Sequence, residues 1–470
     1  MGCHERRMSS PTARPNQVAG LRVDLRFWRW PLARLLRRAA VGYLVVWVLS
    51  PPLAYGQGWR IAALVATGVW LLLELRAARS VLLRPGWPVI GAFGFVLYTA
   101  GVEWTVPDSA GITYHFQVWI MLFFLLVGES LARGRDDDAQ FYFWLVLLVL
   151  PVWSLATLRG IETISQDVAR SISRSSAEAR ELSARGIGGY GFVYAVLLSL
   201  PFLYQLVLRA RASGIGRAGW WRVGRGLLAL NAVLGSLLVI RAGYSIALAL
   251  AGSALALVML ARSRRPLPLA MSVCVSGLLI LVLGSLVQPA LGTLQDVAAG
   301  TEYAAKVRDV RSSLAKGEST GTVDGRAERY QRSLELVMEH PVAGTLAFDP
   351  VGKHSAILDR FAQYGILIGL LFLGLLCYLP WRAVRDRRVP VGLALAFLVV
   401  AFGFPLLDTI FMAWGLLLFV FSRGAMAVMG IPLDRRRSPL VPSAGMQDAS
   451  ASRVAGPGHS HWTEGRHGHG

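Results

Sequence analysis

The sequence is poor in charge and almost without lysine. Charged residues fill 16% of its 470 positions, and 54% are hydrophobic. A soluble domain carries about 25% charge, so the scarcity excludes a soluble globular protein of this length. Lysine stands only at Lys306, Lys316 and Lys353, which leaves the formal charge of +20 to arginine. The arginines fall in short loops on alternate sides of apolar runs, the pattern of positive-inside topology rather than of a nucleic-acid surface. Cysteine is equally scarce: Cys3, Cys274 and Cys377 have neither a disulfide framework nor metal-ligand spacing. There is no G-x-x-x-x-G-K-[ST] phosphate loop and no HExxH zinc site, and no metal or cofactor is expected. No cleavable signal peptide is read, because the first apolar run starts near Ala39. Arg6 stands where a myristoylation signal wants Ser or Thr.

What is present is apolar helix. Runs of about 16 to 22 apolar residues recur, each close to the roughly 20 that a bilayer-crossing helix needs. They predict an all-α fold, a polytopic transmembrane helical bundle of about 12 spans with a partly helical external loop between spans 9 and 10. The spans are expected at 39–56, 61–75, 88–107, 115–132, 140–158, 189–208, 227–240, 244–261, 267–287, 355–379, 390–406 and 410–422. Residues 1–38 read as a basic cytoplasmic arm whose second half lies against anionic lipid. Residues 39–430 form the transmembrane domain, and 431–470 read as a disordered cytoplasmic tail. Both termini are thus expected in the cytoplasm, and the loops 159–190 and 288–353 outside. In the first loop Ile161, Ile164, Val168 and Ile172 share a helical face, with Arg174–Glu178 and Glu181–Arg185 as pairs four residues apart. Acidic residues within the spans are few (Glu74, Glu103, Glu129), which speaks against a proton or sodium carrier.

The second loop is the largest polar interruption. Asp324 to Pro341 reads as a helix, with Asp324 as N-cap and Pro341 forbidding continuation. Ala327, Tyr330, Leu334 and Val337 give it an apolar face, and Arg326, Arg329 and Arg332 form a ridge beside that face. Such a ridge is either a solvated cationic face against lipid headgroups or a cradle for a pyrophosphate, whose oxygens match forked guanidinium groups two at a time. His354, between Lys353 and Ser355 at the mouth of span 10, is either a polar cap or a proton acceptor for a sugar hydroxyl. Asp359, one turn on, is an alternative base or an orienting partner. Arg241 sits deep in apolar sequence, where an arginine either snorkels to the interface or serves function.

The Gly325-Arg326-x-x-x-Tyr330 start, the Glu339-His340-Pro341-x-x-Gly344 end and the His354-Ser355-x-x-Leu358-Asp359-x-x-Ala362-x-Tyr364-Gly365 run resemble the O-antigen polymerase/ligase superfamily. Its members are enzymes of about 12 spans with a long external loop between spans 9 and 10. His354-Ser355, nine residues, then Gly365 fits the ligase signature, although Ile368 stands where the family has a small or polar residue. Arg180 to Gly191 fits the Arg-x10-Gly pattern of polymerase loops, whereas Arg332 to Gly344 is one residue longer. Arg241 resembles the arginine near the outer end of the family's span 7.

The resemblance implies a bacterial plasma-membrane glycosyltransferase acting on a polyprenyl-diphosphate-linked oligosaccharide donor and a glycan acceptor, with chain-length regulator or flippase partners. It places His354, Arg326 and Arg241 in catalysis, and Arg180, Arg329 and Arg332 on pyrophosphate. Tyr330, Ser355 and Asp359 support them, and Tyr190 and Tyr330 are candidates for stacking on sugar rings. Polymerase and ligase differ in acceptor; a non-catalytic carrier or flippase is the reading from another class.

Overall fold

The structure, a computed structural model, describes residues 31–77, 79–106, 112–134, 136–165, 168–172, 177–212, 219–260, 322–347 and 351–431. These lie in the first of two units, Met1–Leu433. The second, Asp434–Gly470, falls outside the described residues, as do the expected span 9 and most of the loop that follows it.

Every regular element among the described residues is helical. The order is α1 (Pro31–Leu49), α2 (Pro51–Tyr55), α3 (Gln57–Leu75), α4 (Trp87–Thr105), α5 (Ile112–Arg133) and α6 (Asp136–Thr163). Two short helices follow, α7 (Val168–Ser171) and α8 (Ala177–Ala184), then α9 (Tyr190–Ala212), α10 (Gly219–Arg241) and α11 (Ser245–Leu260). After them come α12 (Thr322–Glu339), α13 (Ala356–Arg385), α14 (Val391–Leu407) and α15 (Met412–Val428), the last widening into a π turn at Leu416–Phe421. Among the described residues six stretches are long and apolar enough to cross a membrane: Gly58–Leu75, His115–Arg133, Asp136–Thr163, Tyr190–Arg209, Val223–Arg241 and Ala356–Arg385. Ile246–Met259, Val391–Leu407 and Met412–Val428 are shorter apolar helices. This is a helical protein of membrane type.

The start of the chain corrects an expectation. α1 begins at Pro31 rather than near residue 39, and its arginines point into the protein instead of toward anionic lipid. Arg34 Nη2 and Arg38 Nε donate to Asp138 Oδ1 at 2.9 and 2.5 Å. Arg37 Nη2 lies 2.6 Å from Glu74 Oε2 and donates to Ser130 Oγ, whose own hydroxyl donates to Glu74. Leu32, Leu35 and Leu36 are exposed instead. The reason is electrostatic: a guanidinium is costly in lipid but is held where a carboxylate meets it, and Asp138 and Glu74 come from elements about 100 and 40 residues away.

Each of the three acidic residues noted in the spans has a partner, an arginine for Glu74 and Glu129 and a histidine for Glu103. Glu129 is paired with Arg423 where both side chains are buried, and Glu103 Oε2 lies 3.2 Å from His115 Nε2. Arg37–Glu74 and Glu129–Arg423 therefore tie α1, α3, α5 and α15 together at one end of the bundle. The opposite end carries His354.

Candidate functional site

The site grows from α12 and the first turns of α13. α12 ends at Glu339 because Pro341 has no N–H to donate. Its inward face differs from the expected one: Ser333 and Leu336 are buried and Tyr330 and Val337 half-buried, while Leu334 is exposed. The pattern seen in sequence ranked Leu334 above Ser333 by hydropathy, but the packing partner decides. Leu336 and Val337 meet Val351 and Ala362 in a small apolar cluster, and that meeting turns Ser333 inward with them.

Between α12 and α13 the chain lays a strap across a break in the long helix. Gly365, inside α13, has φ 78° and ψ 176°, so the helical bond from Ile366 N to Ala362 is lost. The strap replaces it: Ile366 N donates to Pro341 O at 2.8 Å, Thr345 N to Ala362 O at 2.9 Å and Leu346 N to Gln363 O at 2.8 Å. Backbone approach this close leaves no room for side chains. A Cβ on Gly365 would lie 2.1 Å from Val342 O, and one on Gly344 (φ 69°) 2.4 Å from the Gln363 carbonyl. The two glycines of the sequence motifs are thus the two faces of one joint.

The His354 turn is held from both sides. Ser333 Oγ donates to Asp359 Oδ1 at 2.8 Å and accepts from Gly352 N at 3.0 Å. Asp359 Oδ2 accepts from Ser355 N at 3.2 Å, and Ser355 Oγ caps α13 by accepting from Leu358 N at 3.1 Å. Lys353 takes a positive φ of 58° within this turn. Ser355 and Asp359 are 1% and 2% exposed. Both carboxylate oxygens of Asp359 are engaged, so its geometry is that of an orienting group rather than a base open to substrate.

His354 is half-buried at the crest of the turn, and its Nε2 is bonded to Arg329 Nη1. Beneath it, Ala356 N donates to Asp408 O at 3.1 Å and Tyr330 OH to Leu407 O at 2.6 Å. Tyr194 OH donates to Asp408 Oδ2 at 3.0 Å. The Tyr194 ring touches Tyr244, which stacks on Tyr190 with centroids 4.4 Å apart. The end of α10 that bears Arg241, three residues before Tyr244, is therefore at the His354 end of the bundle.

His354, Arg329, Tyr330, Ser355 and Asp359 come together. Arg332 is exposed one turn along α12, and Arg326 lies on α12 with its side chain outside the described residues. Arg180 is exposed on α8, which packs on α2 and α7, and Arg241 is exposed at the end of α10. Among the described residues Arg180, Arg241 and Arg332 have no side-chain hydrogen bond or ion pair, so neither Arg180 nor Arg241 is bonded to the His354 cluster. In the first loop the four isoleucine and valine positions do not share one environment, since Ile161, Val168 and Ile172 are buried but Ile164 is exposed; Glu181 pairs with Arg185, and Arg174 is outside the described residues.

Three groups escaped the sequence reading. One is Ser333. The others are Arg360 and Gln363, which with Tyr364 share a face of the short helix before Gly365 and are 3% exposed or less. Arg360 Nη1 donates to Gln363 Oε1 at 3.1 Å, and Tyr364 OH lies 3.3 Å from His115 Nδ1, continuing to Glu103. Their spacing of three and four residues was a visible signal, since polar side chains rarely recur on one face inside a span. Among the described residues no cluster of three His, Cys, Asp or Glu side chains is placed to hold a metal. No family model matches the chain, and no curated protein matches it either.

Proposed function

We propose that the chain is a bacterial plasma-membrane glycosyltransferase of about 12 spans, both termini cytoplasmic, that polymerises polyprenyl-diphosphate-linked oligosaccharide units at the outer face. The observation that carries the reading is the Arg329–His354 contact at the membrane end of α12 and α13, with the unbonded Arg332 on the same helix. An acceptor hydroxyl attacks the anomeric carbon of the lipid-linked donor from the face opposite the diphosphate. The new C–O bond forms as the bond to the diphosphate oxygen breaks, and the polyprenyl diphosphate leaves with the electron pair. The hydroxyl proton passes to His354 Nε2. At rest, that lone pair accepts from Arg329, which orients the ring. When Arg329 turns to the diphosphate, Nε2 is released at the moment a proton acceptor is needed. Arg329 and Arg332 then stand where charge develops on the leaving group.

The test uses membrane vesicles holding the full chain and a lipid-linked repeat unit. His354→Ala and Arg329→Ala should each lower polymer formation about 100-fold or more with insertion unchanged. Unchanged polymer length and yield in both variants would end the catalytic reading. Transfer of single units to a lipid or protein acceptor would instead make the chain a ligase, and movement of substrate without a new glycosidic bond would make it a carrier.

A further inference from the structure

α6 and α10 pack side by side and run in the same direction. Asn231 Nδ2 donates to Leu147 O at 2.9 Å, and an added Cβ on Gly224 would lie 3.0 Å from the Trp144 ring. Near the Asp138 end a cavity of about 530 Å³ opens between them, lined by Trp144, Leu148, Val223 and Leu227 among others. That volume falls within the roughly 300–1,000 Å³ of ligand sites.

From this cavity two apolar stripes run to the opposite end, exposed along α6 and alternately exposed and half-buried along α10. On α10, Val223, Leu227, Leu230, Leu234 and Leu237 follow one another at steps of three and four residues, and the next position on that stripe is Arg241. On α6, Leu148, Val152 and Leu155 do the same, and the next position is Arg159. Leu148 and Val152 are 58% and 56% exposed, Leu230 and Leu237 46% and 43%. The stripe from Val223 to Arg241 is about 27 Å long at 1.5 Å per residue, close to the roughly 30 Å of a hydrocarbon core. Arg159 and Arg241 are both exposed, and neither has a side-chain hydrogen bond or ion pair among the described residues.

We infer that the trough between α6 and α10 binds the polyprenyl chain of the lipid-linked donor, with Arg159 and Arg241 closing on its diphosphate at the His354 end. The inference rests on the transferase reading and adds Arg159 and a lipid path to it. Charge complementarity selects the occupant. A long apolar surface that ends in two free guanidinium groups matches a long apolar chain that ends in two phosphoryl groups, each able to take a forked pair of N–H donors. The apolar length exceeds what a headgroup contact alone would use. Arg241 also lies next to the Tyr244–Tyr190 stack, so a diphosphate there would place the first sugar beside the aromatic end of α9.

The experiment is equilibrium binding to the full chain in nanodiscs of zwitterionic lipid. The probes are a long-chain polyprenyl diphosphate without glycan, farnesyl diphosphate, and phosphatidylglycerol as competitor. The wild type should bind the long-chain diphosphate more tightly than farnesyl diphosphate and resist excess phosphatidylglycerol. Arg159→Ala and Arg241→Ala should each weaken both diphosphates by about tenfold. Leu148→Trp, at an exposed position that tolerates a larger side chain, should weaken only the long-chain probe. Equal competition by phosphatidylglycerol, or both arginine variants binding as the wild type does, would overturn the site. Polymer assays on the same samples separate the two readings: intact binding with no polymer from the wild type ends the transferase reading and leaves the site. Polymer formation with arginine variants that bind normally does the reverse.

Discussion

Ser333 Oγ donates to Asp359 Oδ1 across 2.8 Å, joining the arginine-bearing α12 to the first turn of α13 where both side chains are sealed from solvent. The same oxygen receives Gly352 N, so one hydroxyl holds the turn that presents His354 and the carboxylate beneath it. Ser333→Ala leaves a buried carboxylate oxygen and a part-buried N–H without this partner. The expected loss is about 1–3 kcal/mol, read as a lowered midpoint in thermal unfolding of the detergent-solubilised chain. Polymer yield per folded molecule should fall as well, since the His354 turn loses its support. A midpoint equal to that of the wild type would mean the hydroxyl is not holding the turn.

The joint between Gly344 and Gly365 is less forgiving. Alanine at Gly365 meets Val342 O and a backbone with φ 78°, and alanine at Gly344 meets the Gln363 carbonyl with φ 69°. Strain of that kind together with overpacking costs about 2–4 kcal/mol at each site. Alanine at the neighbouring exposed Val342 meets no such obstacle. We expect Gly344→Ala and Gly365→Ala to expose the strap to proteolysis under native conditions, with Val342→Ala resistant. Equal resistance in all three would show that the strap does not depend on the glycines.

This joint also shows why the sequence yields part of the site and hides the rest. Helix existence was legible in the length of the apolar runs, and the end of α12 in Pro341, because both are local properties of the backbone. The two glycines were visible as motif positions, but their reason was not: it lies in hydrogen bonds between residues about 20 apart that replace one missing helical bond. Hydropathy favours Leu334 over Ser333, and the small cluster of Leu336 with Val351 and Ala362 that turns the face is a tertiary contact. For the same reason the sequence alone turns Arg34, Arg37 and Arg38 toward lipid, since no local rule reveals that Asp138 and Glu74 meet them.

Tyr330 carries two possible roles that one substitution separates. Its hydroxyl donates to Leu407 O at 2.6 Å, linking α12 to the end of α14, while its ring is half-buried and is the part that the transferase reading would stack on a sugar. Tyr330→Phe keeps the ring and removes the bond, at a cost of about 1 kcal/mol. We expect a modestly lowered unfolding midpoint with polymer formation retained, and loss of both in Tyr330→Ala. Loss of polymer in the phenylalanine variant at unchanged stability would assign the hydroxyl itself to the reaction.

At the far end of the bundle, the buried Glu129–Arg423 pair offers a control that separates stability from chemistry. Both side chains are under 10% exposed and come from α5 and α15. Removing one partner strands the other charge away from water, which costs about 3–5 kcal/mol. Glu129→Gln and Arg423→Met should therefore each lower the unfolding midpoint strongly. The double variant leaves no charge stranded and should recover much of the loss, giving a coupling that simple addition does not predict. Polymer formed per folded molecule should stay at the wild-type level in the double variant, because the pair lies at the end opposite His354. If the two single losses instead add, Glu129 and Arg423 do not depend on each other, and the ion-pair account of how α5 and α15 are joined is wrong.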